Sequence, residues 1–339
     1  MKKYLLSIFS LCLATMLVAQ EQQEPIPSPW SCTGVVGLNA SATGLVNWAA
    51  GGNNNVNGVA FGKVRLLYSE NNLSWESNLN LEYGLSYIDQ KNDPLQKSSD
   101  VIDFNTKFGW QFHKAWYLTA AAGFKSQMAY GRAYDGTEAK DPIVSKFLSP
   151  SYTDISVGID WKPNSIFSLY LSPVAGKITT AYVGDVLEKA NPGLREQMQD
   201  KYATWSYVKG SDEKEYTNCK AELGLNFKGS INYTYKDLKI ITSLGLFTPY
   251  AWDKTEVFDA EGKFEGYRDN NRRFGNFDVD WDAAISYQFL KCLNVTLSTS
   301  LKYYNGVKID KFDKEGNLLG SAERVQFKGI LGLGVGYSF

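Results

Sequence analysis

His113 is the only histidine among 339 residues, so any acid–base or nucleophilic chemistry built on imidazole has one possible centre. It stands beside Lys114 between two segments of alternating polarity, where the spacing predicts a two-residue turn. A Ser–His or Asp–His pair needs partners fixed within hydrogen-bond reach, and an isolated turn offers none, so the position predicts a solvated residue. The second set is the ladder Asp278, Asp280 and Asp282, at alternate positions that on a strand project from one face. Paired carboxylates can act as general acid and base, but a ladder opposite lysines and arginines reads first as ion-pair partners. Two segments echo each other, Phe258-Asp259-Ala260-Glu261-Gly262-Lys263-Phe264 and Phe312-Asp313-Lys314-Glu315-Gly316-Asn317-Leu318. Both read as hairpin tips with Gly in the left-handed position. A calcium loop needs further oxygens at fixed spacing, and Lys263 or Lys314 stands where one would help. The expectation is therefore no catalytic residue, no metal and no cofactor.

The elements that must position these residues are strands. Counting back in twos from Phe339 gives Tyr337, Val335, Leu333, Leu331, Gly329, Phe327 and Val325, while the interleaved positions are small or polar. One greasy face, one wet face and a terminal aromatic describe the last strand of a transmembrane β-barrel. The same alternation recurs through Leu73–Tyr87, Ile102–Phe112, Phe277–Phe289 and Leu293–Tyr303. It predicts twelve antiparallel strands, at about 33–48, 57–70, 73–87, 100–112, 115–131, 149–161, 165–183, 216–235, 238–253, 276–289, 292–309 and 324–339. Short turns alternate with long loops, which in outer-membrane barrels are periplasmic and extracellular respectively, and both termini then lie in the periplasm. Aromatic residues beside the short turns, such as Trp75, Trp110, Trp116 and Trp161, suit an interfacial girdle. A soluble barrel of the same strand number would instead point the apolar register inward.

Composition and the N-terminus agree with a secreted barrel. Met1-Lys2-Lys3, an apolar run from Tyr4 to Val18 and then Ala19-Gln20 read as a signal peptide over 1–19. A short periplasmic linker over 20–32, with Pro25, Pro27 and Pro29, leads into a barrel over 33–339. A formal net charge of −1 excludes strong attraction to nucleic acid. Outside the leader, Cys32, Cys219 and Cys292 are odd in number and widely spaced, which fits neither a disulfide framework nor a metal motif.

Several short motifs recur in a familiar order. They include Asn47-Trp48-Ala49-Ala50-Gly51-Gly52, Leu73-Ser74-Trp75, Lys125-Ser126-Gln127, Ser145-Lys146-Phe147-Leu148-Ser149-Pro150, Ile159-Asp160-Trp161-Lys162-Pro163-Asn164, Leu171-Ser172-Pro173-Val174-Ala175-Gly176-Lys177 and Glu222-Leu223-Gly224. Together they resemble domain of unknown function family 3078, outer-membrane β-barrel proteins of Bacteroidetes, from about residue 33 onward. The resemblance implies compartment and fold and supplies no activity.

The wet register holds acids and bases in near balance. Glu76, Glu82, Asp103, Glu222, Asp278, Asp280 and Asp282 stand against Lys107, Lys125, Lys302, Arg324 and Lys328, among others. A twelve-stranded bore lies between barrels filled by side chains and those that hold a channel. A cross-lumen charge network is expected to narrow it, with Lys302 a near partner of the aspartate ladder. Within the loop 184–215, Asn191-Pro192 suggests a cap and first turn of a helix running to about Tyr202. Tyr337 and Phe339 are expected to form the terminal signal read by the barrel-assembly machinery. The remaining partners expected are outer-membrane lipid, lipopolysaccharide and other envelope proteins. The function expected is a non-enzymatic scaffold or accessory barrel of an envelope complex with a narrow salt-bridged lumen. The alternative is a narrow channel or gated transporter for small solutes.

Overall fold

The computed structural model describes residues 28–43, 55–88, 94–132, 143–208, 211, 213–252, 254–259, 262–269, 272–290, 293–312 and 318–338. Twelve strands form one closed antiparallel barrel. They are β1 Trp30–Thr43, β2 Asn55–Glu70, β3 Leu73–Ile88, β4 Leu95–His113, β5 Trp116–Ser126 and β6 Ser151–Trp161. The ring continues through β7 Phe167–Thr180, β8 Cys219–Tyr235, β9 Leu238–Pro249, β10 Asp278–Leu290, β11 Leu293–Tyr303 and β12 Gln326–Ser338. Each strand pairs with its sequence neighbours, and β12 closes on β1 with Leu333 opposite Ala40 and Ser338 opposite Val35. Among the described residues no helix is long and apolar enough to cross a membrane.

The apolar register faces outward. Phe327 and Leu331 expose 68% and 69% of their surface, while Asp160 is 0% exposed and Lys177 8%. Removing one large apolar side chain from water is worth roughly 1.5–3 kcal/mol, so a whole wall of them cannot face water. The greasy exterior excludes the soluble alternative and defines a barrel of the transmembrane type. Rings cluster at the short-turn end: Trp30 lies 4.9 Å from Tyr68 and 5.9 Å from Trp75, and Trp161 lies 6.1 Å from Trp116 and 5.8 Å from Phe167.

The strand limits differ from those predicted where the side chains find other partners. β1 begins at Trp30, three residues early, because Trp30 stacks into the girdle. β5 stops at Ser126, because the backbone N–H groups of Met128 and Ala129 donate to the Asp100 carboxylate and lead the chain out of the wall. β11 ends at Tyr303, and Lys308–Phe312 pairs instead with Leu318–Glu323 in a loop hairpin. A second hairpin, Lys254–Phe258 with Phe264–Asp269, has the same bulge after four pairs.

The helix predicted from Asn191 to about Tyr202 is present as α2 Leu194–Lys201, starting later than expected, and an unpredicted short helix, α1 Asp185–Ala190, precedes it. Pro192 is not a first helical residue. It lies in the break, which Gly193 turns at φ 85°. The Glu188 carboxylate accepts from the N–H groups of Gly193 and Arg195, at 2.8 and 2.7 Å, and so caps the start of α2. Leu194 and Met198 of α2 pack with Ile143 and Val183, and Leu187 and Tyr202 flank them. The Tyr202 hydroxyl donates to the Val144 carbonyl at 2.7 Å. These segments make a cap over the long-loop end of the barrel, and Thr255 of one hairpin joins it by donating to the Val208 carbonyl at 3.3 Å.

Candidate functional site: a charge cluster under the cap

The polar register converges on the bore, and its densest part lies just beneath the cap. Asp278 opens β10 and Glu222 stands near the start of β8, both at the long-loop end. Arg272, on the loop leading into β10, turns its guanidinium between them. Its Nε and Nη2 donate to the two Glu222 oxygens at 2.8 and 2.6 Å, a bidentate fork. Its Nη1 donates to both Asp278 oxygens at 2.8 and 3.0 Å and to the Asn305 carbonyl at 2.8 Å. Lys177 reaches in from β7 and bonds Asp278 at 2.6 Å. Two acids and two bases thus meet at the long-loop end, their charges matched one to one.

Burial makes this cluster consequential. The side chains of Arg272, Asp278 and Lys177 are 6, 4 and 9% exposed. The Lys177 ammonium also lies over the rings of Tyr304, Phe247 and Tyr152 at 4.9, 5.5 and 5.7 Å. Burial opposes the charge on Arg272, but Asp278 and Glu222 outweigh it and hold the guanidinium pKa above its ordinary value. In the cap, burial pushes the Tyr202 phenol up in the same direction. A charge left alone in such a site is far more costly than a paired one.

A second tier lies deeper. Asp280 takes Lys302 from the next strand at 3.6 Å and Lys125 from β5, across the bore, at 3.3 Å. Lys125 also lies 3.8 Å from Asp103, and the Tyr304 hydroxyl donates to Asp280 at 3.2 Å. Nearer the short-turn end Lys107 pairs with Asp160 at 2.7 Å and Arg65 with Glu76 at 2.8 Å; Lys328, close to the long-loop start of β12, lies 4.0 Å from Glu82. Ser99 donates to Glu82 as well. Of the residues picked out by alternation, Asp282 and Arg324 form no ion pair among the described residues and stay exposed. His113 ends β4 at the short-turn end, away from the cluster. Cys32 and Cys219 are free and exposed. Cys292 and Phe339 lie outside the described residues, as does the side chain of Tyr337.

Two members of the mouth cluster escaped the sequence reading. Counting in twos along β7 from Leu171 puts Lys177 on the lipid side. The β6–β7 register shifts between Val157 and Ile159, opposite Leu171–Val174, and this reverses the parity. Val174 then faces out, 58% exposed, and Lys177 faces in. Pro173, which cannot donate to a ladder, was the available signal of that irregularity. Gly158 sits at the shift, where a Cβ would strike the Leu171 carbonyl. Arg272 lies in a loop, where alternation carries no information.

A family model described as "Protein of unknown function (DUF3078)" matches residues 40–131, so the family suggested by the motifs from about residue 33 onward is matched from the end of β1 through β5. No curated protein matches the chain. Among solved structures, the COG4313 outer membrane channel from Pseudomonas putida F1 is 11% identical, covering 95% of this chain and 100% of that one at a TM-score of 0.38. The translocator domain of the autotransporter NalP from Neisseria meningitidis is 10% identical, with 100% and 96% covered and a TM-score of 0.36. OmpT, an outer membrane protein of Vibrio cholerae, is 8% identical, with 91% and 97% covered and a TM-score of 0.29. Likenesses this distant carry no functional weight.

Proposed function

We propose that the protein is a non-enzymatic barrel of the outer membrane, closed at its external mouth. On this reading it serves as a scaffold or accessory barrel of a larger envelope complex, through its cap and its lipid-facing wall. The observation that carries the reading is Arg272, a loop residue bonded to two strands of the wall beneath a packed cap. The exposed apolar exterior and its girdle support residence in a bilayer, and twelve strands with one short-turn end support the outer membrane with periplasmic termini. Lipid and lipopolysaccharide then cover the wall, and the barrel-assembly machinery inserts the chain. Mild extraction, affinity purification and mass spectrometry test the reading. Stoichiometric envelope proteins on the barrel are expected. A barrel that is isolated alone and passes steady current would replace this reading by the conduit.

A gated conduit is the second reading, favoured by the charges that stay accessible deeper in the bore. Arg65, near the short-turn end, keeps 45% of its side chain exposed, and Asp282 has no ion-pair partner among the described residues. A water-accessible lower bore under a closed mouth is a vestibule that opening of the cap would turn into a path.

A further inference from the structure

The mouth cluster has the form of a receptor with an occupant. Two of its walls belong to the barrel, Glu222 to β8 and Asp278 to β10, and the third, Asn305, lies in the turn after β11. Its occupant is tethered by loop: Arg272 belongs to no strand or helix, and Phe274 two residues on is 61% exposed. Three acceptor groups meet the guanidinium edge to edge. One carboxylate takes Nε and Nη2, the other takes Nη1, and a backbone carbonyl adds a third bond to Nη1. A planar fork with fixed donors fits this arrangement, and a compact ammonium does not. Lys177 bonds Asp278 from a ring-lined position of its own, so the site keeps its two cationic places distinct. A small cavity borders the guanidinium, lined by Tyr152, Tyr202 and Tyr304 as well as by the charged groups.

We propose that Glu222, Asp278 and the Asn305 carbonyl form a binding site for guanidinium-bearing solutes at the external mouth, filled in the closed state by the chain's own Arg272. A solute carrying that group displaces the side chain, releases the loop from β8 and β10, and loosens the cap. The inference rests on the closed mouth proposed above. It does not depend on whether the barrel is a scaffold or a conduit.

The test uses the full-length barrel in detergent or vesicles and ethylguanidinium chloride as the probe, with ethylammonium chloride and sodium chloride at equal ionic strength as controls. Arg272→Ala is expected to melt below the parent. Millimolar ethylguanidinium is expected to restore the melting temperature saturably, and ethylammonium to need at least about tenfold more. Rescue that is absent, or equal for the three salts, overturns the site. The second arm keeps Arg272, places Phe274→Cys in a background without native cysteines, and reads its labelling by an impermeant maleimide. Ethylguanidinium is expected to speed labelling, and Glu222→Gln to abolish the response. If labelling of the parent does not change, Arg272 is a fixed structural residue and the exchange is refuted. Should Arg272→Ala fail to fold, the labelling arm decides alone. Failure of both arms leaves the scaffold reading untouched, since partner capture is measured separately.

Discussion

Asp278→Asn isolates the energetics of the mouth cluster. The aspartate receives Lys177 at 2.6 Å, Arg272 at 2.8 Å and the Asn305 N–H at 2.9 Å, and its side chain is 4% exposed. Asparagine keeps the shape and one acceptor oxygen but removes the charge. Arg272 retains Glu222, while Lys177 loses the only ion-pair partner it has among the described residues within 4 Å. Breaking a buried pair by removing one member costs about 3–5 kcal/mol. With screening by water small at this burial, the folding constant should fall by roughly 150- to 5,000-fold. Reversible urea unfolding in micelles, followed by tryptophan fluorescence, measures it. Adding Lys177→Met should recover part of the loss, because the orphaned cation is then gone. Asp282→Asn, which touches no ion pair among the described residues, should change stability by less than about 0.5 kcal/mol. A loss below about 1 kcal/mol for Asp278→Asn, or strict additivity with Lys177→Met, would refute the coupled cluster.

Four further outcomes are expected. Cysteines placed at 265 in a background without native cysteines should label on intact cells, and those at 163 should not; the opposite result reverses the topology. Deleting Phe339 should lower the assembled amount far more than Ser338→Ala, and equal assembly would remove Phe339 from the insertion signal. Changing Asp278, Asp280 and Asp282 together to Asn should raise conductance with an anion preference, which Lys302→Gln with Arg324→Gln should partly reverse. Tyr202 should ionise above the ordinary tyrosine value of about 10, because burial favours its neutral form. Its contribution to the cap is therefore complete below about pH 10 and is lost as pH rises further. Phenolate absorbance compared with Tyr202→Phe measures this, and ionisation at the ordinary value would show an accessible phenol.

The barrel was legible because its physics is periodic. A side chain on a strand has two directions, lipid or lumen, and segments such as Leu73–Tyr87, Ile102–Phe112, Phe277–Phe289 and Leu293–Tyr303 separate them. The deeper tier was partly legible for the same reason, since Asp280 and Lys302 are opposite residues on adjacent strands. Lys125 meeting Asp280 depends on the closure of the ring, which fixes what faces what across the bore and is written in no local window. Lys177 was hidden by one irregularity that inverted the parity of half a strand. Arg272 was hidden because it lies in a loop, and its bidentate partner Glu222 is fifty residues away in sequence. The later helix was legible to within a few residues, but the pattern puts its start at Pro192 rather than after Gly193, and α1 was missed because its six residues carry too short a pattern.

Single-channel recording of the unaltered barrel in planar bilayers tests the closed, ion-paired mouth most directly, with Arg272→Ala recorded alongside. The account predicts silence or brief narrow openings for the parent and sustained openings once Arg272 is removed. Large steady currents through the parent, unchanged in the variant, would show an open bore that the Arg272 cluster does not close.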